Sequence, residues 1–171
     1  MVNQLYQLCE INSGTDNLLG LALIRQALSA SFKPIADQIK ELEFPEITTV
    51  NMAGESISKQ CGKALFISKR PELKRRILLS GHMDTVYGAE HPFQSMTAIS
   101  ENEINGPGVA DMKGGLIVIQ HALANFEKMA TAQSLGWDVL INADEEIGSP
   151  ASAAFMAEIA VNYQAALVYE P

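Results

Sequence analysis

Acidic side chains and one histidine stand directly after apolar runs, or just before a candidate helix, in the second half of this sequence. They are His82, Asp84, Asp111, Glu145, Glu146 and Glu170. Carboxylates crowded at one edge of a fold repel one another unless cations neutralise them or some stay protonated. One imidazole among several carboxylates is a suitable ligand set for zinc or a similar divalent ion. The pattern predicts a metal site, with solvated acidic loops as the alternative.

The spacing within this set favours different tasks for neighbouring residues. Asp84 lies two residues after His82, where a carboxylate can hydrogen-bond the far ring nitrogen and orient the imidazole; a satisfied histidine at a strand end is the alternative. Glu145 and Glu146 are adjacent, so their side chains point different ways, and one can bind metal while the other moves protons. An acidic pair stabilised at a helix start is the alternative for these two residues.

Other chemistries find less support in the sequence. The glycines near Asp111 match neither the GxxxxGK[ST] nor the GxGxxG spacing, and a carboxylate among them would repel phosphate unless a metal intervened. There is no GxSxG nucleophile elbow and no HExxH zinc helix. Glycosidase chemistry by paired carboxylates stays open on composition, although no feature favours it. His91 lies in a loop and His121 in a helix among apolar residues, and both are predicted to be structural.

Hydrophobic periodicity predicts the elements that position these residues. Helical spacing predicts helices over 15–32, 113–130 and 149–161. Thr15 and Asp16 are expected to cap the first helix, and Ser149 the last, ahead of Pro150. Apolar and β-branched runs predict strands over 47–52, 64–68, 77–80, 137–143 and 165–170. The alternation of strands and helices after residue 77 favours an α/β fold with a mixed, largely parallel sheet flanked by helices. Ligand sites of such sheets lie at the carboxyl ends of the strands.

The composition is that of an ordinary globular chain. It has 171 residues, of which 47% are hydrophobic, and a net charge of −8, values that exclude disordered and fibrous classes. The acidic balance argues against a nucleic-acid partner, and no apolar run has the length of a membrane span, so neither nucleic acid nor a membrane is expected as a partner. The one basic cluster, residues 69–76, is interpreted as a solvated turn between strands.

The cysteines and the start of the chain bear on its compartment. Cys9 and Cys61 are far apart and form no CxxC pair, which favours free thiols over a disulfide framework or a cysteine zinc site. The first ten residues show no basic and apolar secretory pattern. The expected location is therefore the cytoplasm, or the periplasm if a signal peptide was removed.

Four ordered blocks carry a resemblance to a known family. The blocks are GHMDTVYG at 81–88, GPGVADMKGG at 106–115, NADEEIGSP at 142–150 and VYEP at 168–171. They resemble the consecutive blocks of the co-catalytic zinc exopeptidases and deacylases. That family includes the glutamate carboxypeptidase that cleaves folates, acetylornithine deacetylase, succinyl-diaminopimelate desuccinylase and the aminoacylases. The resemblance is close from about residue 77 to 171 and looser before it.

The resemblance implies a role for each site residue. His82, Asp111, Glu146 and Glu170 would be metal ligands, with Asp111 bridging two zinc ions, for which Co²⁺ or Mn²⁺ could substitute. Asp84 and Glu145 would be the catalytic pair, Asp84 orienting His82 and Glu145 acting as general base. The peptide bond after Asp111 is expected to be cis. The activity implied is zinc-dependent cleavage of an amide bond in a small-molecule or peptide substrate.

The resemblance also bears on the substrate. A glutamate at the position of Glu170 is typical of the carboxypeptidases and deacylases of the family. The block at 81–88, with Pro92 and Phe93 soon after, is most similar to the glutamate carboxypeptidase branch. This implies release of a C-terminal, glutamate-like amino acid from an N-acyl or folate-like conjugate. The alternatives are an N-acyl amino acid deacylase of the acetylornithine deacetylase type and a non-catalytic binding domain of the same fold.

The resemblance also implies that this chain corresponds to only part of a family member. Family members are roughly twice this length, with a lid or dimerisation domain after the block that matches 168–171. The rest of the catalytic domain then supplies a last histidine to the second zinc. We therefore expect residues 1–171 to be the N-terminal part of a catalytic metal-binding domain, inactive or nearly inactive alone. The full-length form is expected to be a homodimer through its lid domain.

Overall fold

A five-stranded mixed sheet organises the chain, and the computed structural model describes all residues from 1 to 171. Its strands are β1 (Gln38–Leu42), β4 (Ala64–Lys69), β5 (Arg76–His82), β8 (Gly136–Asn142) and β9 (Ala165–Val168). Their order is β1-β4-β8-β5-β9. The pairs β1–β4 and β4–β8 are antiparallel, whereas β5 is parallel to both β8 and β9. The predicted α/β class with a mixed sheet is confirmed.

Helices cover both faces of this sheet. They are α1 (Val2–Cys9), α2 (Leu18–Phe32), α3 (Gly115–Phe126) and α4 (Ala153–Ala160). The main core joins α1, α2 and α3 to one face, and a smaller cluster joins α4 to the other. β8 shows the strand period of two, because Val139 packs into the main core and Leu140 into the cluster under α4. All seven residues of β8 are buried, as expected of a central strand covered on both faces.

Two hairpins stand outside the main sheet. They are formed by β2 (Ile47–Val50) with β3 (Ser56–Lys59), and by β6 (Thr97–Ser100) with β7 (Glu103–Asn105). Short single turns at Val109–Gly114, Ala130–Ser134 and Glu145–Ile147 complete the regular structure. None of the helices combines the length and the apolar character that crossing a bilayer requires.

Both predicted helix caps are wrong. The side chain of Asn17, rather than Thr15 or Asp16, accepts the N–H of Gly20 and caps α2. Helix α4 begins at Ala153 instead of 149, because the buried carboxylate of Asp144 accepts the N–H groups of residues 151 and 152 and holds that stretch as a turn. Of the three side chains expected at caps, Thr15 bonds Asp84, Asp16 pairs with Lys59, and Ser149 precedes the start of α4.

The basic cluster at 69–76 is not a simple solvated turn. Arg70 and Arg76 are buried, and their guanidinium groups pair with Glu127 and Asp138. The partners lie more than fifty residues away in sequence, so local composition did not reveal them. The thiols of Cys9 and Cys61 are free, as predicted.

Candidate metal centre

Parallel pairing brings three strand ends to one edge of the sheet. His82, the last residue of β5, is in register with Asn142, the last residue of β8. Glu145 and Glu146 follow β8 in a short turn, and Glu170 lies two residues after β9. The turn Val109–Gly114, just before α3, adds Asp111 to the same edge. Residues from four separate segments thus meet at the carboxyl ends of the parallel strands.

The ring nitrogen Nε2 of His82 lies at the centre of this group. It is 3.0 Å from Oδ1 of Asp111, 3.5 Å from Oε2 of Glu170 and 3.7 Å from Oε2 of Glu145. Ligand atoms of His82, Asp111 and Glu146 all lie within 4.8 Å of one another. Two ligands of a tetrahedral zinc ion, each about 2.0–2.1 Å from the metal, are roughly 3.3 Å apart. The spacing and chemistry of these donors fit a divalent ion of that kind.

Asp84 lies behind the imidazole and is fully buried. Its Oδ1 is 3.2 Å from Nδ1 of His82, the nitrogen that faces away from the acidic group. The carboxylate also accepts the N–H groups of Glu145 and Glu146, at 3.3 and 3.2 Å. Asp84 therefore connects the ring of the histidine to the turn that carries the two glutamates.

Charge is unevenly distributed in the group. Burial opposes a charged imidazole, but the hydrogen bond to Asp84 and the charges of Asp84, Glu170 and Glu145 raise the pKa of His82 to about 9. Burial, together with neighbouring carboxylates, raises the pKa of Glu146 and of Glu170, although His82 opposes the shift. Glu146 and Glu170 are thus harder to ionise, chiefly because they are partly buried and also because other carboxylates surround them, and a bound cation would offset both effects.

Glycines allow the Asp111 turn to pack closely against the end of β5. A Cβ on Gly81 would lie 2.3 Å from Cε of the buried Met112 side chain, so that side chain would have to shift to admit a larger residue. Gly108 has a φ of 73°, in the left-handed region that glycine adopts without strain. The peptide bond between Asp111 and Met112 is cis, as the resemblance implies.

Comparison with known families agrees with this arrangement. The sequence model described as "Peptidase family M20/M25/M40" matches residues 78–171, which include every residue of the acidic group. The chain belongs to this peptidase family. The predicted family is therefore confirmed, and with it the general class of metallopeptidases and related hydrolases, whose usual metal is zinc.

Individual relatives of this M20 chain are longer than it is. It is 29% identical to carboxypeptidase G2 of Pseudomonas sp. (strain RS-16), over 100% of this chain and 38% of that protein. It is also 29% identical to a succinyl-diaminopimelate desuccinylase of Corynebacterium glutamicum, over 80% of this chain and 36% of that protein. The crystal structure of human carnosine dipeptidase 1 superposes with a TM-score of 0.76 and 13% identity, covering 99% of this chain and 38% of that one. The chain thus spans somewhat more than a third of these relatives.

The other two histidines of this M20 chain lie away from the acidic group. Nε2 of His121, within α3, is 3.0 Å from Oε1 of Gln4 in α1. The ring of His91 packs on Tyr87, with centroids 5.0 Å apart, and its Nδ1 accepts the N–H of Phe93 at 3.1 Å. Both histidines therefore form hydrogen bonds with other residues of the chain, in line with the structural role predicted from the sequence.

Two side chains that matter at the site were not anticipated. Thr15 donates its hydroxyl to Oδ2 of Asp84 at 2.9 Å, across 69 residues of sequence. Lys113 is 1% exposed, and its ammonium donates to the carbonyl of Ile11 at 2.8 Å. A lysine two residues after Asp111 in the glycine-rich block was the available signal for the second of these.

Two cavities open beside the acidic group. One, of about 270 Å³, is bounded by Asp111 and Glu146 and by the apolar side chains of Val86, Tyr87 and Phe93. The other, of about 330 Å³, shares Val86 and Glu146 with the first and includes Lys59 and Thr15. A larger cavity, of about 570 Å³, lies near Arg76 and Asp138 at the other end of the strands.

Proposed function

We propose that this chain provides the main ligands and the general base of a two-zinc amide hydrolase. The observation that carries the proposal is the position of Nε2 of His82, 3.0 Å from Asp111 and 3.5 Å from Glu170. His82 and Glu170 would hold one ion, Glu146 the second, and Asp111 both. Zinc ions held there would lower the pKa of a water toward about 7 and polarise the amide carbonyl.

Glu145 is the proposed general base. Its carboxylate is partly exposed and lies 3.7 Å from His82, at the side of the group that faces solvent. It takes a proton from the attacking water as the new C–O bond forms. It then gives this proton to the amine nitrogen as the C–N bond breaks, which returns Glu145 to its carboxylate form at the end of the turnover. Asp84 would keep Nδ1 of His82 protonated and Nε2 directed at the metal.

We propose carboxypeptidase-type release of a C-terminal, glutamate-like amino acid from an N-acyl or folate-like conjugate. The relationship to carboxypeptidase G2 supports this class of reaction. The cavity beside Asp111 supports it too, because its side chains from Val86, Tyr87 and Phe93 suit an uncharged acyl group. The relationship to a desuccinylase favours a second candidate, removal of an N-acyl group from an amino acid.

Residues outside this chain would complete the second metal position. Asp111 and Glu146 are two protein ligands, whereas catalytic zinc sites have three. We therefore propose that the 171-residue chain binds one zinc well and the second weakly, and hydrolyses amides poorly. Homodimerisation would require residues corresponding to the additional domain of its longer relatives. Hydrolysis by this chain at the rate of full-length relatives would contradict the proposal.

Replacing Glu145 by Gln in the full-length protein tests the assignment. Loss of the base should lower kcat by about 10²–10⁴-fold and leave the zinc content unchanged. Glu146→Gln is the matched control, a neighbouring change of the same kind that should lower both zinc content and activity. Kinetics on N-acyl glutamates, with metal analysis of the same samples, supplies both readouts. Equal loss of zinc and activity in Glu145→Gln would remove Glu145 from the role of base.

A further inference from the structure

The stretch between α1 and α2 touches two of the segments that carry the metal centre. We call residues 10–15 the linking segment. Thr85 exchanges backbone hydrogen bonds with this segment, donating its N–H to Ser13 at 3.0 Å and accepting the N–H of Thr15 at 3.2 Å. The hydroxyl of Thr15 also reaches Asp84 at 2.9 Å. The linking segment therefore holds the residues that follow His82.

Lys113 connects the same segment to the turn of Asp111. Its ammonium donates to the carbonyl of Ile11 at 2.8 Å, and the side chain is 1% exposed. That hydrogen-bond partner is a neutral carbonyl rather than a carboxylate. A buried ammonium without a paired anion costs stability, so packing alone does not account for a lysine here.

The rest of the lysine fills the inside of the turn that carries Asp111. A Cβ built on Gly108 would lie 2.8 Å from Cδ of Lys113, so the stem packs directly on that glycine. The N–H of Lys113 donates to the carbonyl of Gly108 at 2.8 Å and closes the turn. One residue thus spans the turn and fastens it to Ile11.

We propose that Lys113 is a positioning residue for metal binding. By holding the Asp111 turn to the linking segment, it keeps Asp111 at a set distance from His82, whose partner Asp84 is anchored to the same segment. This inference rests on the proposed metal function of the site. Its distinctive consequence is that removal of the charge should lower metal affinity without lowering the stability of the zinc-free chain.

The variant Lys113→Met tests this consequence in the 171-residue chain. Methionine fills a similar volume and removes the buried charge, so the zinc-free variant should unfold at the same or a higher urea concentration than the wild type. Its zinc dissociation constant should rise by about 10–100-fold, as is typical when a partner that orients a ligand is lost. Calorimetric zinc titration and urea unfolding measure the two quantities.

Lys128→Met is the matched control, because it removes the same charge from an exposed position at the end of α3. Its zinc affinity should equal that of the wild type. Lys113→Gln keeps an N–H donor without the charge; its affinity should fall between those of the wild type and Lys113→Met, and it replaces Lys113→Met if that variant does not fold.

The outcomes separate the two proposals. Unchanged zinc affinity in the variants at Lys113, or a fall in affinity matched by a fall in zinc-free stability, would overturn the positioning role. Failure of the wild-type chain to bind zinc would instead overturn the proposed function.

Discussion

Charged side chains lie at both ends of the parallel strands β5 and β8, but the carboxylates are matched by cations at one end only. At the amino ends, both terminal nitrogens of Arg70 donate N–H groups to the carboxylate of Glu127, at 2.7 and 2.6 Å, and Arg76 pairs with Asp138 at 2.6 Å. Trp137 also donates its ring N–H to Glu127 at 2.8 Å. Each of these carboxylates, Asp138 buried and Glu127 partly buried, therefore has a guanidinium partner.

At the carboxyl ends, carboxylates outnumber the cations that face them. His82 is the one imidazole among Asp111, Glu145, Glu146 and Glu170, and burial with mutual repulsion raises the pKa of Glu146 and Glu170. The amino ends are neutralised by arginines, whereas the carboxyl ends hold one imidazole for four carboxylates. The proposed zinc ions would balance this surplus of acidic groups.

The largest effect is expected from breaking a pair at the amino ends. Arg76→Met leaves Asp138 buried without its cation and should lower the free energy of unfolding by about 3–5 kcal/mol. Urea unfolding measures the change. The double variant Arg76→Met/Asp138→Leu removes both charges and should recover most of the loss. A single-variant loss under about 1 kcal/mol would show that this pair is not needed for the fold.

The second effect is a gain of stability from zinc at the carboxyl ends. Free zinc at a hundred times its dissociation constant should raise the free energy of unfolding by about 2.7 kcal/mol, because it binds the folded chain. His82→Ala should abolish this gain, whereas Lys128→Met, far from the site, should keep it. Urea unfolding with and without zinc gives the comparison. A gain that persists in His82→Ala would place the ion elsewhere.

The carboxyl ends could be predicted from sequence because their signals are local. Apolar runs indicated β5 and β8, and the polar residues directly after each run, such as His82 and Glu145, indicated the ligand edge. Parallel pairing then brought these residues together without further information. The resemblance added the roles of individual residues, which remain predictions.

The amino ends could not be predicted because their interactions join distant parts of the sequence. Arg70 and Glu127 are 57 residues apart, and Arg76 and Asp138 are 62 apart, so the basic cluster looked solvated. The same limit applies at the carboxyl ends to Thr15, which was expected to cap α2 but bonds Asp84, 69 residues away in sequence. The edge strand β1 was missed because its mostly exposed residues lack the apolar pattern of a buried strand.

The smallest effect concerns the pH dependence of stability in the zinc-free chain. The hydrogen bond from Arg70 lowers the pKa of Glu127, so its stabilising contribution is complete above pH 4.5 and is lost as pH falls through the lowered pKa. The pKa of Glu146 is raised, chiefly by burial, so its contribution is complete below pH 4.5 and is lost as pH rises through the raised pKa. The two ends should therefore respond to pH with opposite signs.

Matched Glu→Gln variants separate the two responses. Glu127→Gln should lower stability near pH 7 and flatten the loss that acid causes. Glu146→Gln should raise zinc-free stability near pH 7 by up to about 0.5 kcal/mol, the usual range for a partly exposed side chain, while weakening zinc binding. Urea unfolding between about pH 3 and 8, a range that includes the ordinary pKa values of carboxyl groups and extends well above them, measures both. A loss of stability in Glu146→Gln near pH 7 would show that this carboxylate supports the fold, and the contrast between the two ends would fail.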